Sequence, residues 1–163
     1  GLGAVVLPEN RGVLVVGGYS GQEHLASTEV FNLDTETFSS GPPMESRRTC
    51  CGTAVLRDGQ IIAVGGYAGT VLSTTEVLNP VSNTWSPGPN LASGRCACAA
   101  LPLSNGTILV IGGKSSVRSG SYLSTTEIID LASGESTPGP EMSCPRVFCS
   151  AVMLHDGRVL VIG

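Results

Sequence analysis

Charge is what this sequence has least of. Asp, Glu, Lys and Arg together make up 13% of its 163 residues, about half the usual share for a globular chain. The net charge is −4, no block of one sign occurs, and Arg47-Arg48 is the only adjacent basic pair. A phosphate backbone needs a basic patch, so no nucleic-acid partner is expected. Long apolar runs are also missing: none approaches the roughly 18 residues that a membrane-crossing helix requires. No membrane partner is expected either. There is no charged-then-apolar leader and no initiator methionine. Gly1 falls inside a strand pattern and Gly163 inside a repeated motif, so the chain is expected to be a piece of a longer polypeptide.

The signatures of several chemistries are absent as well. Among six cysteines there is no CxxC pair of zinc-binding spacing. Adjacent Cys50-Cys51 and the triplet Cys96-Ala97-Cys98 are poor chelating geometries. His24 and His155 stand at unrelated positions and support no Ser-His-Asp order; both are expected to face solvent. The glycine pairs are not a phosphate loop. Gly112-Gly113-Lys114-Ser115 lacks the upstream glycine, and no helix is expected to follow it. No catalytic residue, metal or cofactor is assigned. Asn105-Gly106-Thr107 matches a glycosylation sequon but sits in a tight turn.

What is present is glycine, 22 residues of it, and repetition. With 41% apolar residues the chain can bury a core, which argues against disorder. The stretch Arg48 to Gly66 returns as Arg95 to Gly113 and again as Arg146 to Gly163, and a worn copy opens the chain. The first glycines of the pairs, Gly17, Gly65, Gly112 and Gly163, are spaced by 48, 47 and 51 residues. The variation falls just after the pair, and the rest keeps strict register. Glu29, Glu76 and Glu127 precede Phe38, Trp85 and Ser136 by nine residues; six further on stand Met44, Leu91 and Met142. Arg48, Arg95 and Arg146 follow after four more, and Cys51, Cys98 and Cys149 three after those.

Each unit reads as four strands. The first is rich in small residues. The second follows Asp58-Gly59, Asn105-Gly106 or Asp156-Gly157, dipeptides that favour a type I′ hairpin turn with positive φ at both central positions. That second strand is apolar throughout (Val13 to Val16, Ile61 to Val64, Ile108 to Ile111, Val159 to Ile162), so both of its faces must be covered. The third strand, carrying the glutamate, is expected to alternate more. The fourth is short and polar, as an outer edge should be. Gly-Pro clusters close each unit. Four-stranded sheets, stacked face to face and repeating near 48 residues, form an all-β pattern of β-propeller type.

The period, the pairs Gly17-Gly18, Gly65-Gly66 and Gly112-Gly113, the aromatics Phe38 and Trp85, and the arginine opening each first strand resemble kelch repeats. The resemblance covers essentially the whole chain. It implies four-stranded antiparallel blades in an incomplete ring: 1–46, 47–93 and 94–144 as blades, and 145–163 as the first half of a further one. The remaining blades are expected in the parent chain. Two positions depart from the pattern: Ser136 replaces the aromatic, and Lys114 stands where Tyr19 and Tyr67 do in the other copies.

Cys51, Cys98 and Cys149 share one position where blades converge, and are read as small buried thiols. A soft metal held between the three is the alternative. The glutamates sit 19 residues before the next arginine: Glu29 to Arg48, Glu76 to Arg95, Glu127 to Arg146. A carboxylate among buried apolar residues needs a partner. Those pairs are expected to be structural ion pairs, or the carboxylate is tied to backbone amides; general acid-base catalysis is the alternative, disfavoured because an active site rarely recurs identically in every unit.

Whatever repeats holds the ring together, and whatever varies is free for recognition. The loops after the glycines vary, as does the second residue after each arginine (Cys50, Ala97, Phe148). In kelch propellers these regions surround the channel mouth, and the resemblance implies a protein partner held by Tyr19, His24, Tyr67, Lys114, Arg118 and Tyr122. Exposed Tyr and Arg are favoured anchors. Two other readings compete: part of a carbohydrate-active propeller enzyme, and a purely structural arc. Neither a clustered Tyr/His/Cys copper set nor a repeated aspartate box favours the enzyme.

Overall fold

A computed structural model of the chain describes residues 1–118 and 121–163. In it, each apolar run is the second strand of its own sheet. Strands β1 (Gly3–Val6), β2 (Val13–Val16), β3 (Thr28–Asn32) and β4 (Thr37–Ser40) form the first sheet. The second contains β5 (Gly52–Val55), β6 (Ile61–Val64), β7 (Thr75–Asn79) and β8 (Thr84–Pro87). The third contains β9 (Ala99–Pro102), β10 (Ile108–Ile111), β11 (Thr126–Asp130) and β12 (Glu135–Pro138). Strands β13 (Ser150–Met153) and β14 (Val159–Ile162) pair only with each other. All neighbours are antiparallel and in chain order. The helical content of the described residues is one 3-10 turn, Pro8–Asn10; no helix is long and apolar enough to cross a membrane.

Among the described residues, no strand pairs across two sheets. Instead the first strands pack side by side, β1 on β5, β5 on β9 and β9 on β13, so the sheets fan outward as blades from a common inner line. This is an incomplete β-propeller. Its core lies between blades. Ile61 and Ala63 of β6 pack with Leu14 and Val16 of the first sheet, while Ile62 and Val64 pack with Ile108, Val110 and Ile129 of the third. Both faces of β6 are therefore covered, which is why its sequence does not alternate. Burying each Val, Leu or Ile side chain among them contributes about 1.5–3 kcal/mol.

Two expectations are corrected. The third strand of the second sheet does not alternate in burial: Thr75, Glu76, Val77 and Leu78 are all buried, because β7 is sandwiched just as β6 is. The first hairpins are not type I′ turns. Gly59, Gly106 and Gly157 have positive φ (85°, 89° and 85°), but the residues before them do not. The glycine N–H donates three residues back, to Leu56, Leu103 and Leu154, whose own N–H groups meet Gln60, Thr107 and Arg158. That is a three-residue loop, a type I turn followed by one left-handed residue. Asp58, Asn105 and Asp156 accept backbone N–H bonds from Gln60, Thr107 and Arg158 instead of supplying a second positive φ.

Candidate interaction face

The two ends of the blades differ in how they are built. One end carries the tight hairpins; the other carries the variable loops after the glycine pairs, tied down by the repeated arginine. Arg48 and Arg95 are fully buried. Arg48 donates through Nη1 to the carbonyls of Gly65 (2.7 Å) and Thr74 (3.1 Å), and through Nη2 to Glu76 Oε1 at 2.6 Å. Arg95 repeats this with Gly112 (3.0 Å), Thr125 (3.1 Å) and Glu127 (2.6 Å). Each carboxylate also accepts two backbone N–H bonds, from Glu45 and Ser46 to Glu76, and from Ala92 and Ser93 to Glu127. The backbone carbonyl of the arginine accepts from the previous unit's second glycine, Gly18 or Gly66. One residue thus ties its own blade's loop and carboxylate to the blade before it.

The expected pairs Glu29–Arg48, Glu76–Arg95 and Glu127–Arg146 are therefore overturned. The arginine reaches forward to the glutamate of the sheet that it opens, not back to the previous one. Glu29, on the first sheet, is exposed. The alternative role, a carboxylate tied to backbone amides, holds for Glu76 and Glu127. The first glycine of each pair is required for the same construction. Gly65 has φ 59°, and a Cβ there would overlap the Arg95 carbonyl oxygen.

Burial pushes the Glu127 carboxyl up, but the Ala92 N–H, the Arg95 guanidinium and the Ser136 hydroxyl outweigh it and hold the group below its ordinary value of 4.5. Ser136, where the other copies carry an aromatic, thus serves the carboxylate, donating to Oε2 at 3.0 Å. A group whose folded value is depressed stabilises above its unfolded value and loses that contribution as pH falls through the folded one. The denaturation midpoint is expected to fall as pH drops below about 4.5, and Glu127→Gln to flatten part of that acid limb. A midpoint with the same acid limb in both proteins would contradict this.

At the inner line, Cys50, Ala97 and Phe148 all have positive φ (52°, 55° and 55°). This unusual conformation turns their peptides toward the neighbouring units. Cys50 N–H meets Gly1, Ala97 N–H meets Cys50, and Phe148 N–H meets Ala97, a backbone chain running from unit to unit. Cys51, Cys98 and Cys149 are buried free thiols just below it. Burial pushes Cys51 up to about 11 and Cys98 to about 12; Cys98 Sγ lies where Gly52 leaves room. Among the described residues, no three His, Cys, Asp or Glu side chains are grouped to hold a metal ion.

On this framework the structure brings together two groups of the expected binding residues. Tyr19 and His24 form a backbone bridge and their rings lie 5.2 Å apart. His24 also meets Tyr67 of the second unit edge-on, at 5.2 Å and 83°. His24 is half-buried between the tyrosines rather than solvent-facing, and its Nδ1 is buried without a partner. In the third unit, Lys114 and Tyr122 form a bridge, with the Lys114 ammonium 5.2 Å from the ring centre. Arg118 is exposed in the same loop, whose residues 119–120 lie outside the described residues. Tyr19 and Tyr122 keep about half of their surface in water, at 54% and 47%. Sequence reasoning missed a groove of about 400 Å³ at the opposite, hairpin end, between the first two sheets. Leu14, Val30, Ile61 and Leu78 line it, with the Glu9–Arg11 pair at its rim. These residues come from two units and read singly as core, so no local pattern marks them.

Three segments of the chain, residues 10–45, 47–92 and 95–143, match the Kelch motif. A search of curated proteins found no match. The matched segments contain the glycine pairs, the clasping arginines Arg48 and Arg95, and their glutamates. Kelch repeats generally serve as protein-interaction modules. Because the matches take in most of its length, including eleven of the twelve strands of the three four-stranded sheets, this chain belongs to the kelch-repeat family.

Proposed function

We propose that the chain binds a protein partner through its variable-loop end, with Tyr19, His24 and Tyr67 as one contact group and Lys114, Arg118 and Tyr122 as another. The observation that carries this reading is the Tyr19–His24–Tyr67 cluster, which joins loops of two separate units into one half-exposed aromatic surface. Rigid tyrosines lose little conformational freedom on binding and supply large contact area, and a cation held over an aromatic ring adds a polar anchor. Phe148, 72% exposed on the same end, extends the apolar area toward the inner line. The blades serve as the frame: what they share holds the ring, and the loops carry specificity.

The test is site-specific photo-crosslinking. A photoreactive phenylalanine analogue is placed at Tyr19, Tyr67 or Tyr122, and as a control at Val81 on the hairpin end. Crosslinks to one partner from the first three positions, competed away by unlabelled chain and absent from Val81, are the expected result. Crosslinking from Val81 alone would move the binding surface to the opposite end.

A further inference from the structure

One hairpin departs from its sisters in chemistry while keeping their shape. In the β5–β6 and β13–β14 turns, Asp58 and Asp156 are held at both oxygens. Oδ1 accepts the backbone N–H of Gln60 or Arg158, at 3.0 Å in each, and Oδ2 accepts from the side chain of that same residue, at 2.8 Å in each. Asn105 fills the same place in the β9–β10 turn with an amide. Its Oδ1 takes both donors, the Thr107 N–H at 3.2 Å and the Thr107 hydroxyl at 2.8 Å. Its Nδ2 meets no acceptor among the described residues. Ser104, Asn105 and Gly106 are all exposed, and a Cβ built on Gly106 would meet nothing within 4 Å. Solvent therefore reaches the Gly106 nitrogen, whose N–H is held by the Leu103 carbonyl alone, at 3.1 Å.

We propose that this hairpin is a self-modification site, at which Asn105 is deamidated to aspartate with water as the only co-reactant. The Gly106 nitrogen attacks Asn105 Cγ while hydroxide takes its proton. Negative charge gathers on Oδ1, where the two Thr107 donors already point. The Cγ–Nδ2 bond then breaks, Nδ2 takes a proton from water and leaves as ammonia, and a cyclic imide remains. Water adding at Cγ opens the imide to aspartate with the backbone intact. Water adding at the Asn105 main-chain carbonyl gives isoaspartate instead, whose backbone runs through Cβ and Cγ. The turn has a place for the first product, because Asp58 and Asp156 stand in the same geometry. The new carboxylate also gains a neighbour of opposite charge. Arg57 is exposed, lines a small cleft with Leu103 and Gly106, and pairs with no carboxylate among the described residues. Isoaspartate, by contrast, adds a backbone atom inside the loop that Leu103 and Thr107 close.

The experiment incubates the 163-residue chain in mildly alkaline buffer. Residue 105 is followed by peptide mass spectrometry, with fragmentation that separates aspartate from isoaspartate. The expected result is conversion at Asn105, slowed roughly tenfold by Thr107→Val, which removes one hydrogen bond to the developing charge. In urea that unfolds both proteins the two rates should become equal, because the hydroxyl is no longer held on Oδ1. Asn105→Asp should melt no lower than the parent at low salt, where the Arg57 charge is least screened. An amide retained throughout would overturn the proposal, as would equal rates for Thr107→Val and parent in native buffer. So would a rate difference that persists in urea, since the folded hairpin would then play no part. A lower melting temperature for Asn105→Asp would refute the place given to the product.

Discussion

Arg95→Ala is expected to lower the unfolding free energy by roughly 3–5 kcal/mol, the range for removing one partner of a buried ion pair. Arg95 is fully buried and supplies the donors for two carbonyls and one carboxylate. Truncation leaves Glu127, 4% exposed, with a negative charge that the Ala92 and Ser93 amides alone must hold. It also strips the Gly112 and Thr125 carbonyls of a donor, and unsatisfied buried groups are costly. The measurement is a urea midpoint at constant slope. Glu29→Ala is the internal control. It removes a glutamate from the repeat position that Glu127 holds, but in a protein of these 163 residues alone Glu29 is exposed, so the change should stay within about 0.5 kcal/mol. Equal losses for the two variants would refute the forward pairing of arginine with glutamate.

Trp85→Ala should be as damaging, at about 3–5 kcal/mol, while in a protein of these 163 residues alone Phe38→Ala at the equivalent position should lose no more than about 1 kcal/mol. Trp85 is 7% exposed, wedged between sheets, and donates its indole N–H to the Pro42 carbonyl at 2.9 Å. Phe38 is 60% exposed and has Phe31 as its aromatic neighbour, at 5.0 Å between ring centres. The difference comes from stacking. A blade covers the outer aromatic of the blade that follows it, and no described sheet lies against the Phe38 side of the first. Comparable thermal shifts for the two variants would show that the outer aromatic acts within its own sheet.

The architecture was legible because the signal recurs. An apolar run such as Ile61 to Val64 has few ways to hide every side chain, and its return near every 48 residues requires sheets covered on both faces. The aromatic and cationic loop residues were also legible, since they vary where Arg95 and Glu127 do not. Three things were not. The turn type escaped because Asp58-Gly59 suits two hairpin geometries, and the Asp58 side chain, by accepting the Gln60 amide, selects the longer loop. The environment of His24 escaped because half of it, Tyr67, lies in another unit. The ion-pair partners escaped because a strict repeat places Glu and Arg in equal phase in every copy.

The amino-acid order by itself determined how many sheets form, which strand of each is buried, and where the glycines must bend the chain, since all of these are local requirements of burial and φ. Which glutamate an arginine meets and which aromatic is covered were decided only by the stacking of one sheet on the next. A repeat specifies what each unit can bind; three-dimensional neighbourhood selects which unit supplies it.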